Sequence, residues 1–457
     1  MEKTSDTDET VSSTDSVGDE ATYPSAKYAW GMVLILTLAY ISSFIDRYIF
    51  GLLAQQIKVD LSLTDTQIGM VGGLAFASFY ATSGIFLGWL ADHRRRTYIV
   101  GIGIIVWSIA TALSGLAKSY WQLFLARVGV GAGEATLSPC AMSMIADSFP
   151  PHKRGKPIAV YTSALVLGAG FANLLSAAII DWTIRSPSVA IPLVGDLAPW
   201  QLTFLIVGLP GLLIAIPFFL IREPTRQAVA DSEAGLKGGH LLDTLGYMRK
   251  RWGAFVGMTL FVCAMTVTAY SQSTWMPATF ERTWGWSSQL YGTVNGITIL
   301  TISPVTIWVT GWAVDKWRAS GRRDAPYLLL VIGTLLMVPT GAIAPLMPTG
   351  VSAFGVLVFN TVGIGIVSCV GVTALLQLTP GKVRAQIVAL YYMAISLTGA
   401  IIGPVGVGML SDNVFGEENL RYAMALMALL VGLITIIGAR AGRRAYLRQM
   451  DRLEGGH

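Results

Sequence analysis

The chain has 457 residues, 53% apolar and 13% charged, with a mean hydropathy of +0.59 and a formal net charge of +5. Soluble domains carry about 25% charged residues, so this composition excludes a soluble multidomain enzyme and a disordered scaffold. The basic residues behind a pI near 9.0 fall in small separate groups and form no single patch, which argues against nucleic-acid binding.

Residues 1–27 hold seven acids against Lys3 and Lys27, among many Ser and Thr. A secretory signal begins with a basic region, so this stretch reads as a disordered acidic tail. The first apolar segment is then expected to stay as a membrane anchor. Cys140, Cys263 and Cys369 all lie in apolar stretches, which predicts no disulfide framework. The four histidines lie in polar connections without a partner at ligand spacing, so no metal centre is expected.

Apolar windows long enough to cross a bilayer follow. They cover roughly 28–57, 65–91, 97–117, 120–147, 156–183, 199–221, 252–281, 287–314, 325–347, 350–378, 385–412 and 420–440. Each must be helical, because a helix satisfies its own backbone in lipid. The expected fold is an all-α integral membrane protein with twelve transmembrane helices. With both termini in the cytosol, the cytosolic segments hold 25 Lys and Arg and the outer segments five. Basic residues collect on the cytosolic side, so the imbalance predicts a plasma-membrane protein with cytoplasmic termini.

The longest connection, 222–250, halves the membrane domain. Within it, residues 240–252 read as a short amphipathic helix at the membrane surface, and 440–453 read similarly. The predicted organisation is a tail at 1–27, a six-helix bundle at 28–221 and a cytosolic linker at 222–250. A second bundle spans 251–440, and a basic C-terminal helix spans 441–457. The halves also repeat. Gly88-Trp-Leu-Ala-Asp92 before Arg94, Arg95 and Arg96 matches Gly311-Trp-Ala-Val-Asp315 before Lys316 and Arg318, with the aspartates 223 residues apart. Pro151…Arg154…Ala159…Tyr161 matches Pro380…Arg384…Ala389…Tyr391, with the arginines 230 apart. Two matches at nearly one offset indicate a duplicated six-helix unit. Parallel repeats of this kind place a substrate path between the halves.

Four ionisable residues lie deep in the first half: Asp46 and Arg47 in span one, Arg127 and Glu134 in span four. Such residues are costly in lipid and mark function. Asp46 and Arg47 lie about 27 Å along span one, and Arg127 lies about 12 Å into span four from the other side. That spacing allows an Asp46–Arg127 contact. Glu134 lies seven residues beyond Arg127, about 10 Å further inward on the same helix face. A carboxylate that exchanges its arginine contact between two states can bind a proton in one and release it in the other. Asp46 and Glu134 are therefore the expected proton-coupling residues. Arginine stays charged, which suits Arg47 and Arg127 to charge pairing or head-group binding.

The second half offers neutral polar and aromatic candidates for a substrate cavity: Tyr270, Gln272, Trp275, Asn295, Asn360, Thr361 and Tyr391. A cavity charged on one wall and weakly polar on the other suits an amphipathic substrate. Gly129-Val-Gly131-Ala-Gly133 sits mid-membrane with no strand before it and no lysine, so it reads as close helix packing, not a nucleotide loop.

The twelve spans, the central linker and the loop pair resemble the major facilitator superfamily, with two pseudo-symmetric six-helix bundles. Residues 88–96 resemble its signature loop, departing from it at His93 and Arg95. Gly88 lets helices approach closely, Asp92 can bond the N–H groups of a neighbouring helix start, and Arg94, Arg95 and Arg96 complete a cytosolic gate echoed at Asp315. Phe44-Ile-Asp46-Arg47, Arg127-Val-Gly-Val-Gly-Ala-Gly-Glu134-Ala and Ile145-Ala-Asp147-Ser-Phe-Pro150 resemble the spinster lipid transporters, in the manner of a bacterial member. The resemblance implies proton-coupled transport of lysolipids or sphingoid lipids by alternating access, as a monomer. The only driving cofactor implied is the proton gradient. Alternatives are a proton-driven multidrug or small organic-anion exporter of the same fold, and a transporter-derived receptor or scaffold. An enzyme is not expected, since no nucleophile–base pair or metal-ligand set lies at membrane depth.

Overall fold

The computed structural model describes residues 23–185, 190–191, 195–226, 241–379 and 384–454. The acidic tail to residue 22 and linker residues 227–240 lie outside the described residues.

The twelve crossings form, ten of them as helices long and apolar enough to span a bilayer. Span one is Ala26–Asp60, span three Arg96–Ser114, span five Gly155–Arg185 and span six Pro199–Leu220. Spans seven to ten are Trp252–Trp284, Ser288–Ala319, Ala325–Ile343 (extended by Ala344–Leu346) and Gly350–Gln377. Span two is assembled from Asp65–Gly69, a π segment at Met70–Ala75, and Phe76–His93. Span four breaks into Tyr120–Glu134 and Leu137–Ser148, with Pro139 in the first turn after the break, where its missing N–H costs nothing. Span eleven combines Arg384–Leu397, Thr398–Ile402 (π), Gly403–Leu410 and Ser411–Phe415 (π). Span twelve is Leu420–Glu454.

Helix starts away from the chain ends are marked by local hydrogen bonds. Thr64 and Gln67 close a capping box on span two, and Ser119, Ser287 and Thr349 cap spans four, eight and ten. The described chain ends share one face of the bundle, the terminal face.

Each half packs alike: span one on five, three on six and three on four in the first; seven on eleven, nine on twelve and nine on ten in the second. The halves meet where span one packs on seven, two on eleven and five on eight. A shift of six spans converts the second pairing into the third and maps the first onto itself. The duplicated unit therefore appears as a pseudo-two-fold arrangement.

One expectation is corrected. The segment 441–457 is not a separate surface helix, because span twelve runs unbroken from Leu420 to Glu454. Its far end is held by protein contacts. The Tyr446 hydroxyl, fully buried, donates to Gln377 Oε1 at 2.7 Å, and Gln449 donates to the Tyr247 hydroxyl at 2.7 Å. The all-α fold carries one short extended pair, Ala190–Ile191 antiparallel to Gly195–Asp196, in the loop between spans five and six. A helix does form in the linker, at Leu241–Lys250.

Candidate functional site

Span four positions the charged centre. Gly131 faces the Phe76 backbone of span two, and Gly133 faces the Gly103 carbonyl and Trp107 of span three. A Cβ at either position would collide, so the glycines let span four lie deep in its half. The helix breaks just after Glu134, leaving that carboxylate in the interior at 2% exposure.

Glu134 is held by Arg47. The arginine Nε donates to Oε2 at 2.8 Å, and Nη2 donates to the same oxygen. Glu134 Oε1 is buried without a hydrogen-bond partner. The Arg47 guanidinium also lies 4.7 Å from the Phe76 ring centre and 5.3 Å from those of Phe44 and Tyr80. Cations over aromatic faces are attracted by the ring quadrupole. Tyr270, from the second half, stands beside the same guanidinium. The Arg47 side chain keeps 20% exposure, whereas that of Glu134 keeps 1%. The arginine is thus the accessible member of the pair.

Arg127 does not reach the Asp46 carboxylate. Its Nη2 donates at 3.1 Å to the Asp46 backbone carbonyl, and its guanidinium lies over the rings of Phe50 and Phe204. Asp46 is 3% exposed, with Oδ1 lacking a hydrogen-bond partner and the Thr111 side chain of span three alongside. The salt bridge between the spans therefore joins Arg47 to Glu134, not Asp46 to Arg127.

The cavity candidates divide. Tyr270 borders the charged centre. Asn295 crosses between halves, donating to Asn173 Oδ1 at 3.2 Å. Gln272 donates to Asn360 at 2.9 Å, and the Thr361 hydroxyl donates to the Leu357 carbonyl at 3.0 Å. Three others, Trp275, Asn360 and Tyr391, are packed inside the second half in this conformation. The Trp275 indole is fully buried and donates to the Pro404 carbonyl at 2.8 Å. Asn360 is fully buried and donates to the Met337 carbonyl at 2.7 Å. Tyr391 is 3% exposed and set edge-on to Tyr392.

Gate residues Gly88 and Asp92 have side-chain positions outside the described residues. Arg96 is almost fully buried but binds within its own half and the linker, through Asp147, Ser143, Glu223 and the Pro224 carbonyl. The Arg94 carbonyl accepts from Arg226 at 2.8 Å, and Arg95 is exposed beside the Tyr98 ring. Asp315 is exposed. Among the described residues, none of the gate candidates bridges the two halves in this conformation.

The bridge lies at the opposite face, in a cluster the sequence did not reveal. Asp65, fully buried, accepts from Lys58 at 2.7 Å and from two nitrogens of Arg282 at 2.8 Å each. The Ser411 hydroxyl donates to it at 2.6 Å. Lys58 also pairs with Glu417 at 2.7 Å, and Arg282 donates to Gln55 at 2.7 Å. Asp412 accepts the backbone N–H groups of Asp65 and Thr66 at 3.1 and 2.7 Å. A Cβ at Gly408 would lie 2.5 Å from the Asp65 carbonyl oxygen. The available signal was Gly408-Met-Leu-Ser-Asp412, another Gly-x-x-x-Asp at the end of a span, which does at this face what the repeated loop pair was expected to do at the other. The Asn173–Asn295 hydrogen bond and this cluster tie the two halves together toward this face. The halves are closed together at the opposite face.

A family model for the Major Facilitator Superfamily matches residues 36–404. An MFS-type efflux pump of Mycolicibacterium smegmatis is 29% identical over 92% of this chain and 93% of its own length. Spinster homolog 3 of Danio rerio is 26% identical over 55% of this chain and 48% of its own length. Among solved structures, a bacterial homolog of the human lysosomal transporter spinster, inward-facing and unoccupied, shares the fold. It has a TM-score of 0.78 at 24% identity, covering 93% of this chain and 99% of its own. A crystal structure of a D-xylose-proton symporter gives 0.66 at 18% identity, covering 89% and 97%. The duplicated bundles, the charged centre and the length of the family match lead to one conclusion: the chain belongs to the Major Facilitator Superfamily and has the family and fold of a membrane transporter, not of an enzyme.

Proposed function

We propose that the protein is a proton-coupled secondary transporter of amphipathic, lipid-like substrates, working by alternating access in the plasma membrane with its termini in the cytosol. The observation that carries this is the Arg47–Glu134 pair: a buried carboxylate bonded to a partly exposed arginine among Phe44, Phe76 and Tyr80, with Tyr270 adjacent. An anionic head group at Arg47 competes with Glu134 for the guanidinium, and a proton on Glu134 releases it. Substrate binding and proton uptake then draw on the same ion pair. The aromatic rings around it accept the apolar part of an amphipathic molecule. Asp46, with a buried oxygen that has no partner, is the second proton site. With cytosolic termini, closure at the opposite face makes this conformation inward-facing.

The similarity to an MFS-type efflux pump over most of the chain favours a second reading, proton-driven export of drug-like molecules by the same centre. Relatives named as L-galactonate and hexuronate transporters supply the contrasting substrate class. The test is uptake into proteoliposomes under an imposed pH gradient, comparing a lysophospholipid, a sphingoid base, a lipophilic cation and galactonate. Lysolipid or sphingoid transport that collapses with a protonophore is expected. Asp46→Asn should retain gradient-free exchange and lose gradient-driven uptake. Galactonate transported as well as the lipids would sink the amphipathic reading. Indifference to the protonophore would sink the coupling.

A further inference from the structure

A cavity of about 650 Å³ lies well away from the charged centre, between the start of span seven and the far end of span twelve. The two helices touch closely at Gly442, which sits against Gly257 and the Tyr327 hydroxyl. Toward the terminal face they are separated only by small residues; a Cβ on Gly253 would meet the Ala445 Cβ at 3.4 Å. The slot left there is walled by Leu260 and Ile434 and rimmed by Lys250, Arg251, Arg448 and Arg452. Arg251 is already engaged, donating to Gln449 at 3.0 Å with its guanidinium 4.0 Å from the Tyr247 ring centre. Lys250, Arg448 and Arg452 are exposed and make no ion pair with a described residue. Asp451 is turned to Arg323, 3.5 Å away. Trp252, 67% exposed at the first turn of span seven, sets the level of the membrane interface.

We infer that this slot is a binding site for an anionic phospholipid of the leaflet at the terminal face, separate from the transport path. Each part of the site needs one part of such a molecule. A soluble anion would meet the three cations but leave the Leu260–Ile434 slot empty. A neutral lipid would fill the slot but leave the cations unmatched. An anionic phospholipid places its phosphate against the rim, where charge-assisted hydrogen bonds are strong, and one acyl chain down the slot. Basic pockets between helices at a membrane surface recognise head groups in this way. The bound lipid would tie the linker helix and span seven to the end of span twelve.

The experiment uses the full-length protein purified in detergent. Retention of dioleoyl phosphatidylglycerol and dioleoyl phosphatidylcholine is measured by native mass spectrometry. The wild type should bind phosphatidylglycerol about tenfold or more tightly than phosphatidylcholine. Each of Lys250→Gln, Arg448→Gln and Arg452→Gln should weaken it about fivefold, and the triple variant should show no preference at an unchanged lipid-free melting temperature. Gly253→Leu should lower retention by filling the slot while keeping every cation. Glycerophosphoglycerol, the head group alone, should bind at least tenfold more weakly than the lipid. Equal retention of the two lipids by the wild type overturns the site, as does a preserved preference in the triple variant. Competition by the head group equal to that of the lipid would assign the rim to a soluble anion instead.

Discussion

Asp412, in the second half, caps the helix that begins at Asp65 in the first: its two carboxylate oxygens accept the Asp65 and Thr66 amides at 3.1 and 2.7 Å. A helix start exposes N–H groups and a partial positive charge, so a carboxylate there is favoured. This cap has the unusual property of belonging to the other bundle. Span two can use it only while the opposite face is closed. The cap therefore contributes to the equilibrium between conformations as well as to folding.

Asp412→Ala should remove that contribution. Loss of an N-cap costs about 0.5–2 kcal/mol, a shift of about 2- to 30-fold toward separation of the halves at the opposite face. Spin labels at exposed Val59 and Val414, in a background without Cys140, Cys263 and Cys369, would report it by double electron–electron resonance. Distances identical to those of the parent would show that the cap carries no conformational weight.

Asp65 and Arg282 should be strongly coupled. Removing one member of a buried pair leaves an uncompensated charge and costs about 3–5 kcal/mol. Asp65→Asn takes a carboxylate from Lys58 as well as from Arg282, leaving Lys58 only the exposed Glu417, so it should lower the melting temperature more than Arg282→Gln, which keeps the Lys58–Asp65 pair. The double variant should be less damaged than the sum of the two, by about 1–3 kcal/mol. Additive losses would mean that the 2.8 Å contacts contribute no specific interaction.

Glu134→Gln should reproduce the protonated carrier. Protonation removes the Glu134 charge and weakens its hold on Arg47, and an amide does so at every pH. The variant at about pH 8 should therefore match the wild type at about pH 5, and its spin-label distances should no longer change between these values. Retention of the full wild-type pH response would place the coupling proton elsewhere, with Asp46 the next position to test.

Arg96→Gln should act on stability and not on the opposite-face equilibrium. Its buried guanidinium joins span three to Asp147 of span four and Glu223 of the linker, all on one side of the bundle interface. A fall in melting temperature with Val59–Val414 distances unchanged is expected. Altered distances would show that the linker transmits to the far side of the membrane.

The sequence by itself determined the membrane crossings, because hydrocarbon allows only segments that satisfy their own backbone, and composition reports these directly. It also determined the duplication, through Asp92 with Asp315 and Arg154 with Arg384, and singled out Asp46, Arg47, Arg127 and Glu134 as anomalous in lipid. Which of the four pair with which was decided by tertiary structure alone. Asp46 and Arg47 are adjacent, so their side chains leave span one about 100° apart. Arg47 reaches Glu134, and the Asp46 carboxylate turns toward Thr111 on span three, leaving only its backbone carbonyl to Arg127. Depth along a helix can be counted from sequence; rotation about its axis is set by neighbouring spans. The same limit applies to Trp275, Asn360 and Tyr391, whose polar or aromatic character suited a cavity but whose helix faces point into the second bundle. The Asp65 cluster lay furthest from view, since Lys58, Arg282, Ser411 and Glu417 are ordinary polar residues near helix ends until folding brings segments about 350 positions apart around one buried carboxylate.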